Sequence, residues 1–151
     1  MGAWRNYLSF QGRLNRKPYW LMSLVLVGIA LGAFIVIAML AALLPILWIL
    51  AAPLVIVVIW SSFSISTRRL HDRNKSAWWL LLYSGVPGLL GGLQSLAELS
   101  RAPAGPANLL GFISFCISMW MLVDLGIMKG RPGANRFGDD PLGQPLEEVF
   151  A

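Results

Sequence analysis

Apolar residues run along this chain in long blocks separated by short polar clusters, a pattern much coarser than the period of a soluble helix or strand. From Pro18 to Thr67 there are 50 consecutive residues without a charge. At about 1.5 Å per helical residue such a run extends about 75 Å, more than twice a hydrocarbon core of about 30 Å, so two membrane spans must share it. The first is predicted at Trp20 to Leu44 and the second at Ile46 to Ser66, turning near Leu44-Pro45, because proline breaks the helical ladder. The alternative turn is Ala51-Ala52-Pro53; with the turn at Pro45, Pro53 becomes a kink inside the second helix.

A third uncharged run, Ala77 to Ala97, is long enough to span but is interrupted by Gly85, Pro87, Gly88, Gly91 and Gly92, which predicts a kinked, closely packed helix. The fourth, Ala107 to Met128, carries one charge, Asp124, about one turn from its end. Glu98 to Pro106 is left as a short connecting loop. Gly28 with Gly32, and Gly88 with Gly92, repeat the small-residue spacing of packed membrane helices, and close packing within the bundle is the expectation over a dimer.

Charge orients these spans. Lys and Arg number 12 against 7 acids, but the basic residues cluster at the ends of apolar runs, where lipid phosphates are the simpler partner than nucleic acid. Residues 1–19 hold Arg5, Arg13, Arg16 and Lys17; the central loop holds Arg68, Arg69, Arg73 and Lys75; the tail, residues 129–151, holds Lys129, Arg131 and Arg136. Arg101 alone remains for the other side, so an even number of spans separates each pair of basic segments and both termini are expected in the cytoplasm. Trp4, Tyr7 and Leu8 would share one helical face, which predicts a short interfacial helix at the N-terminus, with a frayed tail as the alternative. A cleaved signal peptide is the competing reading, but its apolar region should be about 7 to 15 residues and precede a polar chain. With 57% hydrophobic and 13% charged residues, composition agrees with an all-α membrane protein, a single four-transmembrane-helix bundle over residues 1–151. The lone Cys116 provides no internal disulfide.

Candidate chemistry is sparse. On a helix that continues past the second span, Arg68 and Asp72 are i,i+4 and Arg69 and Asp72 i,i+3, so one carboxylate can organise two guanidinium groups. Arginine's planar fork suits a phosphate or anionic headgroup; topology with snorkelling side chains explains the same residues without a ligand. His71 is the sole histidine, and Asp72 beside it faces elsewhere on a helix. No GxSxG, HExxH, GxGxxG or P-loop pattern is present, and too few ligands join His71 for zinc, so no enzyme, metal or cofactor is expected. Asp124 needs a partner inside the membrane, for which Arg68 or Arg69 is expected; a proton-relay role is the sharper alternative. The Gly- and Pro-rich tail is an ordered loop or a flexible one: as an ordered loop it would anchor Phe137 on the bundle and bring Asp139 and Asp140 to the basic central loop, and a solvated tail is the equal alternative.

Three stretches taken together resemble the YhaH-like small bacterial inner-membrane proteins, a family catalogued as a domain of unknown function. They are Phe10-Gln11-Gly12-Arg13 with Arg16 and Tyr19-Trp20; Arg68-Arg69-Leu70-His71-Asp72 with Ser76-Ala77-Trp78-Trp79; and Gly133-Ala134-Asn135-Arg136-Phe137-Gly138-Asp139-Asp140-Pro141. Ala77 stands where the family usually has Gly, and Asp139 where Pro is common. The resemblance implies a multi-pass bacterial inner-membrane protein facing the cytoplasm and no established activity. It also implies that the three motifs assemble into one polar layer: Arg13, Arg16, Arg68, Arg69, His71, Asp72, Asp124, Asn135 and Arg136. The leading expectation is a non-enzymatic module whose layer holds anionic phospholipid headgroups or a partner protein. A small oligomeric transporter or channel using Asp124 is the alternative, and an enzyme acting on lipid phosphates a third.

Overall fold

The computed structural model describes residues 5–100 and 104–143. It is all-helical among these residues: α1 (Arg5–Leu8), α2 (Arg16–Leu43), α3 (Ala51–Asp72), α4 (Val86–Leu99) and α5 (Ala104–Leu122). A 3-10 segment, Pro45–Leu50, leads into α3, and π-helical turns precede α4 at Leu81–Gly85 and follow α5 at Val123–Ile127. Three helical stretches, Arg16–Leu43, Pro45–Asp72 and Gly105–Ile127, are long and apolar enough to cross a membrane. The fourth helix, α4, carries four glycine or proline breaks-in-waiting at Pro87, Gly88, Gly91 and Gly92, together with Gln94 and Glu98. Trp4 and Arg101 lie outside the described residues.

The chain turns at Leu44, as proline spacing predicts, and two sequence expectations change there and beyond. Pro53 sits in the first turn of α3 rather than at a kink within it, since the 3-10 segment absorbs the change of direction. The Glu98–Pro106 loop is shorter than expected because α4 runs to Leu99 and α5 begins at Ala104. The irregularity expected in the third span is the π turn at Leu81–Gly85, where the Val86 N–H reaches back five residues to the Leu81 carbonyl just before Pro87.

α2 pairs with α3 and α4 with α5, making two hairpins. They meet chiefly at one end, where the Val123–Ile127 turn packs on α2 and α3, while α1 lies along α3. Nearly all buried residues are at that end, from Leu14 through Ile65, Arg69, Leu70, Leu80 and Tyr83 to Leu125; Ala41 and Ala107 are the distant exceptions. Elsewhere large apolar side chains point outward, as on helices whose solvent is lipid rather than water. The expected close packing at Gly28, Gly32, Gly88 and Gly92 is absent: a Cβ at any of the four would meet nothing within 4 Å, because the hairpins stand apart at mid-height. The tight glycines are instead Gly111, whose Cβ would lie 2.9 Å from Gln94 Oε1 between α4 and α5, Gly126, whose Cβ would lie 2.7 Å from Trp20 Cζ2, and Gly130, whose Cβ would collide with the Asp72 carboxylate.

Candidate functional site: a polar layer at the joined ends of the hairpins

At the foot of α3, helical spacing brings Arg69 onto Asp72, and the chain before α2 brings Arg13 to the same carboxylate. Arg69 Nη1 lies 2.5 Å from Asp72 Oδ2, and Arg13 Nε and Nη2 donate to Oδ1 at 3.3 and 3.1 Å. All three side chains are buried, at 0%, 3% and 1% exposure for Arg69, Asp72 and Arg13. Asp72 does organise two guanidinium groups, but the second belongs to Arg13. Arg68 turns to another face, buried, with Nη2 3.9 Å from the Met22 sulfur.

Their remaining donors go to backbone carbonyls. Arg13 Nη1 donates to Gly133 O at 2.5 Å and Nη2 to Arg131 O, so the tail is strapped across the layer. The end of α5 is held in the same way. Arg73 donates to Asp124 O at 2.7 Å, Arg69 to Leu125 O at 2.7 Å and to Met128 O, Trp20 Nε1 to Gly126 O at 3.1 Å, and Arg16 to Ile127 O at 3.0 Å. A helix end leaves its last carbonyls without partners and carries the negative end of the helix dipole. Here each carbonyl from Asp124 to Met128 is met by a side-chain donor of the first hairpin or its flanking segments, and four of those five donations come from arginine.

Asp124 is fully buried, and its expected partners are corrected. Arg69 is spent on Asp72 and on carbonyls; the cations on Asp124 come instead from the loop after α3. Arg73 Nη1 lies 2.5 Å from Oδ1, and Lys75 Nζ 2.9 Å from both carboxylate oxygens. Tyr83 completes the set, its hydroxyl donating to Oδ2 at 2.8 Å. Tyr83 and Asp124 lie in the two π turns, so the widened turns face each other. Lys75 also sits over the Trp79 ring, 4.5 Å from its centroid. Spacing identifies none of these partners, although the general need of a buried carboxylate for a cation does.

The tail folds as a strap anchored on the foot of α3. Asn135 Nδ2 donates to His71 O at 2.9 Å, and the Phe137 ring stacks on His71 with centroids 3.8 Å apart and planes 5° from parallel. His71 Nδ1 faces Gly12 O at 3.2 Å, so the imidazole is a platform and not a partner of Asp72. Arg136 lies over Phe137 and reaches Asn74 O at 3.4 Å. Asp140 accepts from Gly133 N at 2.9 Å and stands 4.0 Å from Arg13, the N-terminal segment rather than the central loop it was expected to meet. No ion pair of Asp139 is seen among the described residues.

Between this strap and the start of α2 lies a cleft of about 360 Å³, lined by Asn15, Arg16, Asp72, Lys129, Gly130, Arg131, Pro132, Asp140 and Leu142. A shallower hollow beside it is lined by Arg16, Lys17, Trp20 and Gly126. Lys17, Lys129 and Arg131 are exposed there, whereas Arg13 and Arg69 are not. Of the nine residues expected in the layer, Arg13, Arg69 and Asp72 form one centre and His71, Asn135 and Arg136 the strap's seat. Arg16 caps α5 and lines the cleft, Asp124 forms a second centre, and Arg68 stands to one side.

A family model described as "Protein of unknown function (DUF805)" matches residues 7–139. The chain is 30% identical to Inner membrane protein YhaH of Escherichia coli over 148 residues, covering 93% of each chain. It is 30% identical to Uncharacterized protein YiiR over 135 residues (87% of this chain, 85% of the other) and 26% identical to Inner membrane protein YhaI over 140 (91% and 89%), both of Escherichia coli. No solved structure matches it.

Proposed function

The chain belongs to the DUF805 family, with inner-membrane relatives, and from that premise we propose that it is a four-span inner-membrane module with both termini cytoplasmic, which holds an anionic phospholipid headgroup in the cleft beside α2. The reading is one of binding, not catalysis. Asp72 and Asp124 are each closed by two cations, and His71 is stacked and turned to a carbonyl, so among the described residues no nucleophile with an adjacent base presents itself.

The observation that carries the proposal is the division of labour among the cations. Arg13 and Arg69 are buried and bound to Asp72 and carbonyls. Arg16, Lys129 and Arg131 line an open cleft, with Lys17 in the adjoining hollow and Trp20 at its side, the arrangement that attracts a phosphate at the headgroup level of a membrane. Native mass spectrometry of the purified protein tests it. Phosphatidylglycerol occupancy should fall at least tenfold in an Arg16→Gln, Lys129→Gln, Arg131→Gln variant; unchanged occupancy would sink the proposal.

A further inference from the structure

The cleft has walls from two different hairpins. Asn15 and Arg16 belong to the start of α2, and Lys17 follows them in the adjoining hollow; Lys129, Gly130, Arg131 and Pro132 belong to the chain leaving α5. The hairpins meet chiefly at this end, through the Val123–Ile127 turn, and their mid-sections stand apart. What happens across the cleft therefore bears on how the two halves sit together.

The Asp72 carboxylate on the cleft wall is taken by Arg13 and Arg69, and the Asp140 carboxylate accepts from the Gly133 and Leu142 amides. The cations that face each other across the cleft are Arg16 from the first hairpin and Lys129 and Arg131 from the second, with Lys17 in the adjoining hollow. Without an anion they repel one another and work against the clasp beside them. A phosphate between them reverses the sign of that interaction, since each guanidinium binds it in two-pronged fashion and each ammonium adds a point charge. Arg16 connects the two effects directly. One of its nitrogens, Nη1, already holds the Ile127 carbonyl at 3.0 Å, and the same residue lines the cleft.

We infer that the phosphate of an anionic phospholipid in this cleft staples the two hairpins together at their inner ends. The inference rests on the headgroup reading above and adds to it a mechanical consequence. Because α2 is 28 residues long, about 42 Å at 1.5 Å per residue, a small rotation at the clasp becomes a large displacement at the opposite tips. Lipid composition then sets the spacing of the hairpins, and the far tips report it.

The tips carry exposed residues suited to labelling, Ile49 before α3 and Leu99 at the end of α4. Spin labels on Ile49→Cys and Leu99→Cys, in a Cys116→Ser background of the full chain, give the tip-to-tip distance distribution in neutral detergent. Adding phosphatidylglycerol should narrow it; phosphatidylcholine or inorganic phosphate should leave it broad. Lys129→Glu with Arg131→Glu sets carboxylates opposite Arg16 and Lys17, so that variant should be narrow without lipid and insensitive to phosphatidylglycerol. Cleft-dependent lipid occupancy by native mass spectrometry with an unchanged distribution overturns the staple and leaves the headgroup reading standing. Occupancy that is absent from the unmutated protein, or that is unchanged in the cleft variant, overturns the headgroup reading. Equal narrowing by inorganic phosphate overturns the lipid as the stapling ligand.

Discussion

Asp72→Ala is the substitution from which the layer has most to lose. The carboxylate accepts from Arg13 Nε and Nη2 and from Arg69 Nη1, and neither arginine side chain is more than 1% exposed. Its removal strands two buried cations, a change that costs about 3–5 kcal/mol where one partner of a buried pair is deleted. The lower end applies, because Arg13 keeps the Gly133 and Arg131 carbonyls and Arg69 keeps those of Leu125 and Met128. At roughly 2–4 °C per kcal/mol for a chain of this size, the melting temperature in mild detergent should fall by roughly 6–12 °C. A double-mutant cycle identifies the cause. Arg13→Met removes one of the two stranded charges, so the pair Arg13→Met with Asp72→Ala should be less destabilised than the sum of the singles by about 1–2 kcal/mol. Strict additivity, or a fall below about 2 °C for Asp72→Ala on the same scale, would refute the claim that the carboxylate neutralises buried arginines.

Asp124→Ala should cost less than Asp72→Ala despite equal burial, because Lys75 and Arg73 are 22% and 17% exposed and can rehydrate when their carboxylate is gone; the two melting curves in the same detergent decide it. Tyr83→Phe removes one hydroxyl donor at 2.8 Å from an already paired carboxylate and should cost about 1 kcal/mol in that assay, and a loss above about 3 kcal/mol would mean that the tyrosine does more than donate this bond. The proposed topology is checked in intact cells with a membrane-impermeant maleimide: Ile49→Cys and Leu99→Cys, each in the Cys116→Ser background, should react at once, and Leu142→Cys only after permeabilisation. The reverse pattern would invert the orientation.

The long elements were legible because run length and charge placement are one-dimensional. The uncharged stretch from Pro18 to Thr67 had to fold back on itself, and Pro45 marked where. The i,i+3 pairing of Arg69 with Asp72 followed from helical period alone. Arg13 did not, since 59 residues separate it from Asp72 and only the folded N-terminal segment joins them. The partners of Asp124 are hidden for a related reason: helical spacing points to cations at the end of α3, whereas Arg73 and Lys75 reach it from the loop beyond α3. The glycines misled because spacing cannot distinguish a face that meets another helix from one that meets nothing. Gly28 and Gly32 have the spacing and no neighbour, while Gly126 and Gly130, equally four apart, sit against Trp20 and Asp72.

The placement of the arginines answers a question that their number alone leaves open. Inside a bilayer every backbone carbonyl must find a donor within the protein, and the last carbonyls of a helix cannot find one in their own ladder. At Asp124 to Met128 the donors come from Arg16, Trp20, Arg69 and Arg73. Cations serve this purpose better than neutral amides because they also oppose the negative end of the helix dipole. Basic residues clustered at the ends of the apolar runs are therefore also those that close the end of α5, and most of the positive charge near the layer is structural. Around the cleft, Lys17, Lys129 and Arg131 are exposed cations that this task does not bury, with Arg16 beside them, which is why the cleft and not the Asp72 centre is the place to look for a ligand.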